Sequence, residues 1–296
     1  MPSLLKISFF RNVFVRIFEP KFVSGTAKEG SEKGLGSGAE RMTSSRRFRR
    51  SFDIVREFAV ADFRLRYHDS LLGYLWFLLS PVLMFGVYYF VFTSVIYIKI
   101  QDYALYLILG IISYNFFQDC TYSAMYSLMA KAHIIKKIYF PRYLIILASS
   151  ATAVFSLLVN LTVVLIAVFI SKGIPPLLWL VPIPVICLLF FSTGIGFILA
   201  ALYARFRDLS QIWGVLVLAI FWLTPVVYDV SSLPESTQIM VFLNPLSRIF
   251  MSLRHYLLYD FFDMQFLLIT IFSSFATFGI GLFAFLRVQD RLAEQL

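Results

Sequence analysis

Long uncharged apolar runs separated by short polar segments dominate the chain from Leu71 onward. A helix needs about 20 apolar residues to cross the hydrocarbon core of a bilayer, and charges mark the ends of such runs. Six stretches meet or approach that length: Leu71–Ile98, Tyr103–Ala130, Tyr143–Ser171, Leu177–Ala204, Leu209–Tyr228 and Met264–Leu286. The pattern predicts an all-α integral membrane fold with six transmembrane helices. Asp119 interrupts the second run, and Pro182 and Pro184 stand near the start of the fourth. Bending or burial is expected at those places, because polar groups and helix breakers are tolerated in hydrocarbon only where protein covers them.

The segments between the runs carry their own patterns. Over residues 51–67, Phe52, Val55, Phe58, Ala59 and Phe63 recur at helical spacing, with Asp53, Arg56, Glu57, Asp62 and Arg64 between them. This predicts a cytoplasmic amphipathic helix, either lying along the membrane surface or merely anchoring the first span. The loop Lys131–Arg142 is basic at both ends, yet holds Ile134, Ile135, Ile138, Tyr139 and Phe140 between them. So much apolar surface in a loop fits either a protein partner or aliphatic side chains dipping into the headgroups. Pro141 ends any helix there before the third span. Between Tyr228 and Asp263 two apolar pieces, around Ile239–Leu243 and Ile249–Leu258, are each too short to span. Asn244-Pro245 breaks them apart, so an extracytoplasmic re-entrant helical hairpin is expected between spans five and six.

Composition agrees with lipid as the main solvent: 59% of the 296 residues are apolar and 15% are charged. With the N-terminus inside, every Lys and Arg except Lys99, Lys172, Arg248 and Arg254 falls on the cytoplasmic side. Both termini are therefore expected in the cytoplasm, and the net charge of +9 reads as topology and anionic lipid contact, with no nucleic-acid partner. Residues 1–50 form a flexible basic tail by composition, Pro20–Arg50 being too poor in apolar residues to repay the entropy of folding. Lys6, Arg11 and Arg16 interrupt any signal-peptide core, so no cleaved leader is expected. Gly25 and Gly30 have the spacing of a phosphate-binding loop, but Ser31 and Glu32 stand where Lys and Ser or Thr are required, and no strand precedes them. No ATPase motif is visible. Cys120 and Cys187 lie inside predicted spans without metal-ligand spacing, and read as small apolar side chains. His68, His133 and His255 are scattered at predicted membrane boundaries, so no metal site is expected. Asp119 is either a functional or paired acid, or a contact near the outer headgroups.

Several motifs then occur in one order: Arg64-Leu65-Arg66-Tyr67, Leu72-Gly73, Trp76, Pro81 and Tyr88; Tyr103 through Phe117; Ile134 to Arg142; Arg205-Phe206-Arg207-Asp208-Leu209; Phe221-Trp222-Leu223-Thr224-Pro225 with Tyr228; and Asn244-Pro245-Leu246 with Arg254. From about Asp53 to about Leu286 the chain resembles the ABC type-2 permeases that export polysaccharides. The tail before Ser51 is longer than that family usually has, and Lys131-Ala132-His133 replaces the Asn-containing start often seen before the coupling segment.

The resemblance implies a transmembrane domain over residues 68–296 in the bacterial cytoplasmic (inner) membrane. It also implies a homodimer paired with two copies of a separate ABC ATPase, which would bind the ATP and Mg, leaving this chain without catalytic residues or cofactor. The cargo would be an O-antigen, teichoic-acid or capsule polymer on a lipid carrier. Ile134, Ile135, Lys136, Lys137, Ile138, Tyr139, Phe140 and Arg142 would meet the ATPase, and Phe58, Arg64, Arg66 and Tyr67 would belong to the interface helix. Tyr88, Tyr89, Tyr114, Phe117, Tyr122, Trp222 and Tyr228 lie in spans that such a permease would use for its channel, and aromatic faces suit a sliding sugar chain. For each of these seven, lipid-interface anchoring or core packing is the competing reading. Two other functions stay open: a drug or lipid efflux permease of the same fold, and a membrane-embedded glycosyl- or acyltransferase, which would show a catalytic acid pair or a buried His.

Overall fold

The computed structural model describes residues 44–67, 75–97, 100–135 and 141–295. Among them all regular structure is helical, with no strand. Lipid dictates that outcome: hydrocarbon offers no hydrogen-bond partner, and a helix satisfies its own backbone. The helices are α1 (Ser44–Tyr67), α2 (Trp76–Phe90, continued by a π turn over Val91–Val95), α3 (Tyr103–Ala130), α4 (Ala132–Ile135), α5 (Tyr143–Lys172), α6 (Pro182–Tyr203), α7 (Leu209–Leu223), α8 (Glu235–Leu243), α9 (Pro245–Arg254, followed by a π turn over His255–Tyr259) and α10 (Met264–Gln295). The expected start of the interface helix at residue 51 is too late, since α1 already begins at Ser44. From Asp53 on the chain is one compact unit. The tail up to residue 43 lies outside the described residues, as do the side chains of Arg66 and Tyr67.

Among the described residues, four helical segments are long and apolar enough to cross a membrane: Leu78–Val95, Tyr143–Lys172, Leu178–Tyr203 and Met264–Gln289. The other two expected spans differ for separate reasons. Helix α3 has 28 residues, ample for a crossing, but it carries Asn115, Gln118 and Asp119 and is the most enclosed of the long helices, Phe117, Cys120, Ala124, Met125 and Leu128 being fully buried. At Asp119, where bending or burial is expected, the helix is unbroken and the side chain half-buried. Helix α7 is only 15 residues, or about 22 Å at 1.5 Å per residue. It stops at Leu223 because Pro225 pushes Thr224 into an extended conformation (φ −104°, ψ 137°). The prolines of the fourth run cause no kink, since α6 starts at Pro182 and both sit in its first turn.

Helix α3 is the axis of the core. It packs on α5 and α6, α6 packs on α10, and α2 lies against α3. The α6–α10 pair approaches closely through glycine: a Cβ on Gly194 would sit 2.7 Å from the Phe278 backbone, and one on Gly281 would strike the Gly194 carbonyl. Small residues replace the hydrophobic effect as the means of joining helices in lipid, by letting backbones touch. Cys120 and Cys187 are free and buried.

Where α7 ends, the chain runs non-helically through the core, and its carbonyls all find donors. Arg254, 1% exposed, donates from Nε and Nη2 to the Tyr106 carbonyl at 3.2 and 3.0 Å, from Nη2 to the Val226 carbonyl at 2.9 Å, and from Nη1 to the Pro225 carbonyl. Its guanidinium also lies 3.4 Å from the centroid of the Tyr106 ring. The Tyr103 hydroxyl donates to the Val227 carbonyl at 3.0 Å, and the Tyr106 hydroxyl to the Tyr228 carbonyl at 2.6 Å. Gly110 makes room, because a Cβ there would collide with Arg254 and come within 2.7 Å of the Val226 carbonyl. Asn244 finishes the junction: its Nδ2 donates to Thr224 Oγ1 and its Oδ1 accepts from the Leu246 N–H, both at 3.0 Å, capping α9. Thus α8 and α9 form a pair of short helices broken at Asn244-Pro245. Farther along, Lys172 pairs with Asp102 at 2.6 Å and donates to the Leu258 carbonyl at 2.8 Å. Arg254→Met strips three buried carbonyls of their donors and is expected to cost about 3 kcal/mol, a melting midpoint about 10 °C lower for the detergent-purified protein. Gly110→Val should act in the same direction, and unchanged melting in both variants would refute the role given to Arg254.

Candidate functional site

At one end of α3 the polar connection begins. Ala130 ends the helix, and the N–H groups of Ile134 and Ile135 turn back to the Lys131 carbonyl at 3.0 and 3.1 Å, making the one-turn helix α4. Lys131 is buried, its Nζ 2.5 Å from Asp62 Oδ2 and 5.4 Å from the centroid of the Phe58 ring. Asp62 and Phe58 lie one turn apart on α1, so a single ammonium joins the amphipathic helix to the start of the loop. Phe63 packs edge-on to Phe155 of α5, centroids 4.9 Å apart, fixing α1 from a second side. The loop's other end is held too, Arg142 donating to the Gln289 carbonyl of α10.

The sequence-derived coupling residues therefore divide. Ile134 is half-buried, while Ile135 packs against a cluster of Ala124, Leu128, Ile145, Ile146, Phe197 and Phe285 within its own chain. Lys136, Lys137, Ile138, Tyr139 and Phe140 lie outside the described residues. Of the interface-helix candidates, Phe58 is half-buried beneath Lys131 and Arg64 is exposed. The Lys131–Asp62 pair escaped the sequence reading; the available signal was an Asp on the polar face of one amphipathic helix and a Lys at the mouth of a loop.

The aromatic candidates also divide. Tyr88 stacks on Phe221 (centroids 5.5 Å apart), and Tyr114 and Trp222 each meet the same ring edge-on (5.1 and 5.3 Å). The Tyr114 hydroxyl donates to the Val217 carbonyl, which holds its ring against α7. These side chains bound a cavity of about 220 Å³ between α2, α3 and α7, with Asn115 and Gln118 among its walls. Phe221 lines it and is the ring that the other three share, a role that its place inside an apolar run did not reveal. Phe117, Trp222 and Tyr228 line a second, mainly apolar cavity of about 630 Å³ beneath α8 and α9. Phe117 is nevertheless fully buried, packed between Phe191 and Trp213. Tyr89 stacks on Phe85 and Tyr103, and Tyr122 on Tyr126; neither lines the two cavities.

Among the described residues no group of His, Cys, Asp and Glu is placed to hold a metal ion. His255 packs on Tyr259, Phe261 and Phe266. Burial first, and then the neighbouring Arg254 charge, hold its imidazole below the usual range, which keeps it neutral at physiological pH.

The family model of the ABC-2 type transporters matches residues 55–258, a stretch that runs from α1 through both cavities to the turn after α9. Two O-antigen export system permease proteins RfbA of Klebsiella pneumoniae are each 30% identical over 247 residues, covering 83% of this chain and 95% of theirs. An O-antigen export system permease protein RfbA of Myxococcus xanthus is 28% identical over 189 residues, 62% of this chain and 72% of its own length. Permeases of this family are the membrane subunits of transporters and work with an ABC ATPase. With its membrane-length helices and this match over most of its length, the chain belongs to the ABC-2 type transporter family as a multi-pass membrane permease.

Proposed function

We propose that this chain is the permease of an exporter that carries a lipid-linked polysaccharide out across the bacterial cytoplasmic membrane, driven by two copies of a separate ABC ATPase. The observation that carries this reading is the open aromatic cluster of Tyr88, Tyr114, Phe221 and Trp222 on one side of α3, in a chain similar over 83% of its length to permeases named for O-antigen export. Sugar rings stack their C–H faces on such side chains weakly enough to move on, and stacking distinguishes little between one sugar and the next.

The same reading assigns six crossings. Helix α3 supplies the second, its polar residues opening on the cavities beside α2, and α7 with the turn after it supplies the fifth. The pair α8 and α9 then dips back as a re-entrant hairpin. Exposed apolar side chains on α2 (Val82, Leu83, Val87, Phe90) and α7 (Val215, Leu216, Leu218) meet lipid or a second copy of the chain. Placing the aromatic cavity between two copies would close a passage that one subunit leaves open on a side.

Coupling is assigned to the segment Ile134–Arg142, held at one end by Lys131–Asp62 and at the other by Arg142–Gln289. Movement imposed by a closing ATPase would reach α1 and α3 through the first contact and α10 through the second, provided that contact with the ATPase differs between its two states. Charge at Ile134 or Tyr139 (Ile134→Glu, Tyr139→Glu) is expected to leave membrane insertion intact and lower surface polymer about tenfold at equal ATP hydrolysis; normal surface polymer from both variants would sink the coupling assignment. In the passage, Tyr88→Ala combined with Trp222→Ala is expected to cut polymer at the cell surface about fivefold, from the loss of two stacking faces worth about 0.5–1.5 kcal/mol each. Undiminished export by that double variant would remove these rings from the pathway.

A further inference from the structure

A second cavity on α3, about 470 Å³, lies between α2, α3 and α5. Its volume is in the range of small-molecule sites, about 300–1,000 Å³. The walls are unusual for a membrane protein: Ser80 and Trp76 from α2, Asn115, Gln118 and Asp119 from α3, and Asn160 from α5. Asn115 and Gln118 lie near the middle of the 28-residue α3, and Asn160 is likewise well inside the 30-residue α5. Amides at that depth are best stabilised when they are hydrogen-bonded, since hydrocarbon supplies no partner. Asn160 is anchored by its own helix, Nδ2 donating to the Ser156 carbonyl at 2.9 Å. Among the described residues, the carboxamides of Asn115 and Gln118 and the Ser80 hydroxyl make no hydrogen bond. Half-buried and facing an open cleft, the two carboxamides are within reach of a partner from outside the subunit.

The composition of the walls identifies that partner. Among the described residues no Lys or Arg lines the cavity, so nothing there offers a phosphate or diphosphate group its usual charged partner. An apolar tail would leave the amides unpaired. A neutral, hydroxyl-rich group satisfies them, since a carboxamide both donates and accepts and a carboxylate accepts from hydroxyls. Trp76, 44% exposed, adds the flat apolar face on which a sugar ring stacks. Met84, Asn115 and Gln118 also line the aromatic cavity, so the two spaces meet at the two amides.

We propose that the cavity between α2, α3 and α5 is a sugar-binding subsite, in which Asn115 and Gln118 hydrogen-bond hydroxyls of a saccharide unit stacked on Trp76. The inference rests on the polysaccharide-export reading and adds to it a defined seat for one part of the cargo. The subsite recognises sugar and is indifferent to the carrier. It differs from the aromatic wall in kind: the wall supplies sliding contacts, and the cleft supplies directional hydrogen bonds that hold one unit while the rest of the chain is repositioned.

The test uses the full complex with its ATPase, in vesicles of phosphatidylethanolamine and phosphatidylglycerol, and two fluorescent probes: a prenyl diphosphate bearing a disaccharide, and the same prenyl diphosphate without sugar. Equilibrium binding of each is measured. Asn115→Leu with Gln118→Leu is expected to raise Kd for the sugar-bearing probe about tenfold, the loss of one or two hydrogen bonds, and to leave Kd for the sugar-free probe in place. Trp76→Leu should repeat that selective loss, and Trp76→Phe, which keeps a stacking face, should restore most of it. Unchanged affinity for the sugar-bearing probe in the Asn115→Leu, Gln118→Leu variant, or an equal loss for both probes in that variant and in Trp76→Leu, overturns the subsite. A wild-type complex that binds neither probe and moves no polymer overturns the export reading itself, and the subsite with it.

Discussion

A backbone carbonyl that leaves a helix inside a membrane protein must find its donor within the chain, because hydrocarbon supplies none. At the end of α7 this requirement organises half the molecule. Pro225 stops the helix, and the carbonyls of Pro225, Val226, Val227 and Tyr228 are taken up by Arg254, Tyr103 and Tyr106. The guanidinium suits this work because it presents five donors in a plane and needs no proton exchange to keep them. A buried cation without a carboxylate partner is costly, and the cost is met by three carbonyls and an aromatic face. The position of α8 and α9, the shortness of α7 and the smallness of residue 110 all follow from that one junction.

The junction also sets the place of the functional surfaces. Because α3 supplies Tyr103 and Tyr106 to one side, its later turns are free to present Tyr114, Asn115 and Gln118 to the spaces beside α2. Anchored at both ends, the helix turns a polar middle toward the two cavities. At the other end of α3, Lys131 carries the connection to α1. One helix thereby joins the junction, the aromatic cluster and the Lys131–Asp62 link to α1.

Much of this was legible along the chain. Apolar runs with charged ends gave the long helices; the interleaved Phe and charged residues of 52–64 gave α1; and Asn244-Pro245 gave the break between α8 and α9, since proline and its predecessor act through local sterics. What was hidden depends on partners distant in sequence. Nothing near Arg254 announces Tyr106 or Val226, although an arginine in an apolar stretch without an acid beside it, and a glycine in a bulky run, were faint signals. Ile135 read as a face for a partner protein, but it packs on Phe285 and its neighbours because the short α4 folds back against the core. The Ser44 start of α1 was missed since Arg46, Arg47, Arg49 and Arg50 make residues 44–50 resemble the polar tail by composition, while arginine is itself a good helix former.

The central claim is that an aromatic and amide-lined passage in this chain moves a sugar polymer only when a nucleotide-consuming subunit drives it. The direct measurement is transport of disaccharide-bearing prenyl diphosphate across reconstituted vesicles, with the permease alone and with its ATPase, each in the presence and absence of ATP. The account predicts movement only in the vesicles that hold both subunits and ATP; equal movement by the permease alone without nucleotide would contradict it.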